Sequence, residues 1–184
     1  MKIFKNILII LLAFTVHQAF AQNSEEVMMD QLADQYDLEV TLDEDLNNQL
    51  SVFQEGYSHY VEASQTHRGA AGVNELYLVQ YGSMNSADLW QNGSGNFFQG
   101  NQDGYNNWIE SSVNGNSNYV FIGQDGDNNR VEQTLTGDDM SYTIIQTGNE
   151  NEVIQLENGM TSKEYTVTQT GNNMQVTIEN GVYY

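Results

Sequence analysis

The chain has 184 residues, with 25 acidic side chains against five lysines and arginines, a formal charge of −20, and neither cysteine nor proline. So acidic a polypeptide has no basic face for phosphate, which excludes nucleic acid as a partner. The missing cysteines exclude disulfides and thiol chemistry, and the missing prolines suit strands that must all donate to ladders.

In chain order, Lys2 and Lys5 precede an apolar run from Ile7 to Val16, and Ala19-Phe20-Ala21 is a small-x-small cleavage site. Residues 1–21 therefore read as a secretory signal peptide, with Gln22 as the first mature residue. The run falls short of the ~20 residues of a membrane span, and nothing later is a better candidate. An exported chain without a membrane span is expected. Removing the segment takes away two lysines and no acid, so the formal charge falls from −20 to −22. Residues 22–47 are rich in acids, including Asp43-Glu44-Asp45, and lack lysine and arginine. That composition predicts a solvated, disordered leader.

From Gln80 onward a pattern takes over. Gln-x-Gly-x-x-Asn returns every 22 residues as Gln80-Gly82-Asn85, Gln102-Gly104-Asn107, Gln124-Gly126-Asn129 and Gln146-Gly148-Asn151, then as Gln169-Gly171 with Met174 in the Asn slot. Half copies midway keep a glycine at Gly93, Gly115, Gly137 and Gly159. A period this regular marks stacked units, each burying its apolar face only against its neighbours. Between glycines the residues alternate, so each half repeat reads as a strand of about six residues followed by a glycine turn. The inward columns of the first strand are Leu76-Phe98-Val120-Tyr142-Tyr165, Leu78-Gly100-Ile122-Ile144-Val167, and the five glutamines. Those of the second begin at Asn85, Ala87, Leu89 and Gln91, the last running through Val113, Leu135, Glu157 and Asn180. The predicted fold is an all-β, cross-β solenoid of strand-turn-strand repeats. A buried glutamine without partners costs about 1–3 kcal/mol, so columns of glutamine and asparagine argue for stacking at ~4.8 Å independently of the glycines. With five repeats, Gln80 and Gln169 are the end rungs.

The stretch QYGSMNSADLWQ, residues 80–91, matches the curlin repeat Gln-x-Gly-x-x-Asn-x-Ala-x-x-x-Gln position for position, and QDGYNNWI, QDGDNNRV and QTGNENEV carry its first half. Residues 74–184 thus resemble the curlin family, the subunits of secreted bacterial amyloid fibres. The second halves depart from it, with Val113, Leu135 and Glu157 in place of the closing glutamine. The resemblance implies a homopolymeric extracellular fibre at a Gram-negative cell surface, serving biofilm and adhesion. It also implies a nucleating partner subunit and an outer-membrane secretion pore with accessory factors, addressed by the segment after the signal peptide. A degenerate sixth copy fits residues 48–73: Leu50, Val52 and Gln54, then Gly56, His59, Val61, Ala63 and Gln65 occupy the same slots, with a longer loop before Asn74.

Chemistry-bearing constellations are missing from the sequence. The eight-residue spacing of His59 and His67 does not suit a metal pair, and Asp125-Gly126-Asp127-Asn128-Asn129 imitates a calcium loop without its glycine or closing glutamate. Asp138-Asp139 reads as a solvated turn rather than an acid/base pair. No catalytic, cofactor or metal residues are expected, and no enzyme. Outward acids such as Asp88, Asp103 and Asp125 flank the strands as gatekeepers or solubilisers, while Tyr77, Trp90, Phe97, Trp108, Tyr119 and Phe121 give the early repeats a stickier flank. Two other functions fit: the minor, nucleating subunit of such a fibre, and a monomeric secreted solenoid that binds ice or polysaccharide through a flat outer face.

Overall fold

A computed structural model describes residues 9–12, 16–21, 36–42, 48–68, 72–159 and 163–181. Three strands lead the chain: β1 (Ile9–Leu12), β2 (Val16–Ala21) and β3 (Tyr36–Leu42). Six strand-turn-strand coils follow. They are β4 (Gln49–Tyr57) with β5 (His59–His67), β6 (Glu75–Ser83) with β7 (Ser86–Gly93), and β8 (Phe97–Tyr105) with β9 (Trp108–Asn114). Then come β10 (Tyr119–Asp127) with β11 (Arg130–Thr136), β12 (Ser141–Thr147) with β13 (Glu152–Asn158), and β14 (Glu164–Thr170) with β15 (Gln175–Gly181).

From β4 onward the even-numbered strands stack in one parallel sheet and the odd-numbered strands from β3 in a second. The register is the one the repeat dictates: Gln80 pairs with Gln102, Gln124 with Gln146, and Gln146 with Gln169 across the one-residue insertion. Residues 48–68 form a full coil on the same plan, with Gln54 opposite Gln80 and Gln65 opposite Gln91. The solenoid therefore has six coils, and Gln80 is an interior rung, not the end of the stack. The expectation that Gln80 ends the ladder is corrected by this first coil.

The core is the narrow space between the sheets. Strict alternation of inward and outward residues puts Leu76, Phe98, Val120 and Tyr142 in one fully buried column and Ala87, Ile109, Val131 and Val153 in another. Gly100 interrupts the Leu78–Ile122 column because a Cβ there would lie 2.8 Å from Leu78 and 3.0 Å from the Phe98 ring. The small residue makes room for the large one beside it.

The acidic segment after residue 21 contains β3, which continues the second sheet in the repeat's own register: Tyr36 opposes His59 and Leu42 opposes Gln65. β2 pairs antiparallel with β4 at the same end of the first sheet. The rest of the leader expected to be disordered, residues 22–35 and 43–47, lies outside the described residues.

Candidate functional site: the amide ladders and the coil ends

Every predicted glutamine rung in the first sheet is buried and bonded to the next. Gln54 Nε2 donates to Gln80 Oε1 at 2.7 Å, Gln80 to Gln102 at 2.7 Å, and Gln102 to Gln124 at 2.9 Å. Gln124 then donates to Gln146 at 2.9 Å and Gln146 to Gln169 at 2.8 Å. All donors point toward the C-terminal coil, so the ladder has a direction. The second N–H of each interior rung goes to a main-chain carbonyl across the core, as from Gln124 to Trp108 O at 3.0 Å. Gln169, with no rung beyond it, turns its amide onto Glu152 O and Met174 O at 3.0 and 2.9 Å.

The asparagine column runs the opposite way and staples three coils at once. Asn129 donates through Nδ2 to Asn107 Oδ1 behind it at 3.1 Å and to Gly148 O ahead of it at 2.7 Å. Asn107 and Asn151 do the same toward Gly126 O and Gly171 O at 2.7 and 2.8 Å, and Asn85 reaches Gly104 O at 3.2 Å. The glycine and asparagine of the motif thus meet across coils, not within one. Met174 keeps part of this logic: its amide N–H still donates to Asn151 Oδ1 at 3.1 Å, while the side-chain donor it lacks leaves no second bond back to Asn151 and none ahead.

The glycines have a second cause beside the turn. Gly82, Gly104 and Gly126 lie inside the pairing ladder with φ of 98, 125 and 123°. A Cβ on Gly82 or Gly104 would sit 2.1 Å from the carbonyl oxygen of the next coil's glycine, and on Gly126, 2.2 Å. The half-step glycines obey the same constraint, Gly93 against Gly115 O and Gly115 against Gly137 O, both at 1.8 Å. Gly148 meets Gly171 O at 2.0 Å, whereas Gly171 has nothing nearer than Met174 Cε at 3.6 Å and Gly159 nothing within 4 Å. Gly137 has φ of 150°. The sharpest left-handed positions fall instead on non-glycine residues such as Met84, Asn106, Asn128 and Glu150, with φ of 55–57°.

Gln91 is bonded to Gln65, whose Nε2 donates to its Oε1 at 2.7 Å. Beyond Gln91 that column becomes apolar at Val113 and Leu135 and then charged at Glu157, which is fully buried. The closing glutamine of the repeat is therefore a ladder only in the first two coils.

A second asparagine ladder went unread in the sequence. Asn48, Asn74, Asn96 and Asn118 are buried at the other arch, with Asn96 Nδ2 donating to Asn74 Oδ1 at 3.1 Å and to Gly115 O at 2.8 Å. Its signal was present, since Asn96 and Asn118 each follow a half-step glycine by three residues, as Asn85 follows Gly82. Met140 breaks the series and hid it.

Outside, the two sheets differ. The first carries Tyr77, Phe97, Tyr119 and Phe121 of the expected aromatic flank, with Phe97 and Tyr119 stacked at 5.1 Å and Tyr77 tilted against Phe97 at 5.7 Å, while Trp90 and Trp108 lie on the second. The second carries an acidic column, Glu62-Asp88-Glu110-Glu132 in register, bounded by Arg130, which bonds Glu132 and Glu152 and lies 4.3 Å over Trp108. Partial burial, and then Glu62 and Glu110, push the Asp88 carboxyl above its usual range. His59, in the asparagine slot of the first coil, is held below the ordinary histidine value by burial. Among the described residues no group of three or more histidines or carboxylates is placed to hold a metal ion, and no helix is long and apolar enough to cross a membrane. No protein-family model, curated protein or solved structure matches the chain.

Proposed function

We propose that this chain is the structural subunit of an extracellular, curli-like amyloid fibre that grows by stacking whole solenoids end to end. The observation that carries the reading is the directional glutamine ladder, which runs through all six coils and stops at Gln169 with its amide folded back onto its own coil. At the other end stands Gln54, oriented to accept. A second copy placed with its β4 against β14 would let Gln169 donate to the newcomer's Gln54, extend the parallel first sheet, and cover the half-exposed Tyr165, Val167 and Val176. Unpaired strand edges and an apolar end face are what templated strand addition requires. In this scheme removal of residues 1–21 frees the β4 edge that β2 covers, and β3 must leave β5 before the second sheet can continue. Export through an outer-membrane pore and a separate nucleating subunit belong to the same proposal, on the curlin resemblance.

The ice- or polysaccharide-binding alternative wants an outer column of one suitable residue type. The outer columns here are mixed in residue type, and the one that runs Glu62-Asp88-Glu110-Glu132 is self-repelling, which favours the fibre reading. The test is the purified chain lacking residues 1–21: it should convert, after a lag, to fibres that seed fresh protein. Protein that stays monomeric at high concentration, with β signal from the start, would favour the binder instead.

A further inference from the structure

Among the described residues Glu157 is the one fully buried carboxylate, and it lies where the repeat otherwise has glutamine, valine, leucine or, in the last coil, Asn180. Its Oε1 accepts from the Tyr165 hydroxyl and from Asn180 Nδ2 at 3.4 Å, while Oε2 has no hydrogen-bond donor and faces Lys163 Nζ at 3.7 Å. Lys163 is the single lysine after the N-terminal segment. The Tyr142 and Tyr165 rings, 4.5 Å apart, wall the site, and Gln155 Nε2 holds the Tyr165 hydroxyl at 2.8 Å. A half-solvated ion pair is poor compensation for burying a carboxylate, so stability alone explains the arrangement badly.

We infer that Lys163 and Asn180 form an intramolecular isopeptide bond across the last coil, with Glu157 as the proton carrier. Two columns bring the partners together. Lys163 continues the arch column of Asn48, and Asn180 continues the strand-end column of Gln65; in the first coil these slots touch, Asn48 Nδ2 donating to Gln65 O at 3.2 Å. The same carboxylate contacts both reacting groups, the arrangement in which a buried acid moves protons between a nucleophile and a leaving group.

The step balances without an outside reagent. Glu157 takes a proton from the Lys163 ammonium, and the freed Nζ lone pair attacks Asn180 Cγ to give a tetrahedral oxyanion. Glu157 then passes the proton to Nδ2. The Cγ–Nδ2 bond breaks, the carbonyl reforms, and ammonia leaves with the second proton from Nζ as ammonium. Glu157 ends as it began, and no group is oxidised or reduced.

The bond would fasten β15 to the start of β14 in the last described coil. The inference stands whether or not the chain forms fibres. It is tested by dissolving the purified full chain in strong denaturant, cleaving after glutamate and sequencing by tandem mass spectrometry. Residues 158–164 should appear joined through Lys163 to residues 180–184, lighter than the two free peptides by one ammonia; K163R should yield only the free peptides, and E157Q, which loses the cleavage site after residue 157, only unjoined 153–164 and 180–184. E157Q places in this column a residue it already holds at Gln91, so the fold survives the change, and circular dichroism checks that it does. Free peptides from folded wild-type chain would overturn the inference. So would ammonia loss without a branch at Lys163, as in a succinimide at Asn180-Gly181, or a bond that forms undiminished in E157Q.

Discussion

At the scale of the residue, the fold is dictated by what the next coil will tolerate. Gly104 illustrates it: φ of 125° is costly for any L side chain, and a Cβ would drive into Gly126 O at 2.1 Å. Gly104→Ala should destabilise the solenoid by about 2 kcal/mol or more. Gly171→Ala carries only the strained φ of 131°, because among the described residues nothing comes nearer a Cβ there than Met174 Cε at 3.6 Å. Urea unfolding of the two variants checks the contrast, and equal losses would mean that turn strain alone fixes these glycines. His59 offers a pH test of the first coil. Burial lowers its folded pKa below 6.5, so the unfolded chain binds the extra proton and stability is present above that value and lost as pH falls beneath it. Hydrogen exchange at Val61 and Ala63, corrected for intrinsic rate, should quicken between about pH 7.5 and pH 5.5 relative to Val131, and His59→Asn should remove the difference. No change in wild-type protein would show that the ring is not what titrates the coil.

At the scale of the element, the strands were legible because two periods agree: alternation within a strand fixes which residues face in, and the 22-residue return fixes which residue stacks on which. The columns Leu76-Phe98-Val120 and Gln80-Gln102-Gln124 could be written from the sequence for that reason. Residues 48–68 were legible through the same slots, despite His59 in the asparagine position. β3 was not, because its acids mask an alternation of Tyr36, Leu38, Val40 and Leu42 that fits the second-strand columns. Nor was the role of Glu157, since a lone acid in an apolar column has no periodic signal. The ladders also separate stability from growth. Gln124→Ala strands the donor of Gln102 and the acceptor of Gln146, both buried, and should cost roughly 2–4 kcal/mol of stability. Gln169→Ala strands one group at an open end; it should cost less stability yet slow seeded growth several-fold more than the control Tyr81→Ala, whose ring is exposed. Growth slowed by Gln124→Ala alone would contradict the end-to-end scheme.

At the scale of the molecule, a six-coil solenoid whose glutamine ladder donates in one direction has two unlike ends. Gln54 donates forward to Gln80 and Gln169 accepts from Gln146, so in the proposed fibre only unlike ends, Gln169 of one copy and Gln54 of the next, would continue the ladder. The aromatic outer face of the first sheet and the acidic outer face of the second leave the two flanks unlike, so copies that join end to end keep both faces on constant sides of the fibre. Repulsion along Glu62, Asp88, Glu110 and Glu132 opposes compaction of the same array.

The axial rise per chain in assembled fibres, measured by cryo-electron microscopy, bears most directly on this picture. Six coils at ~4.8 Å each predict a rise of about 29 Å per subunit, with Gln54 of one copy resting on Gln169 of the next. A rise of about 4.8 Å per chain, with each molecule spread flat in a single layer, would contradict it.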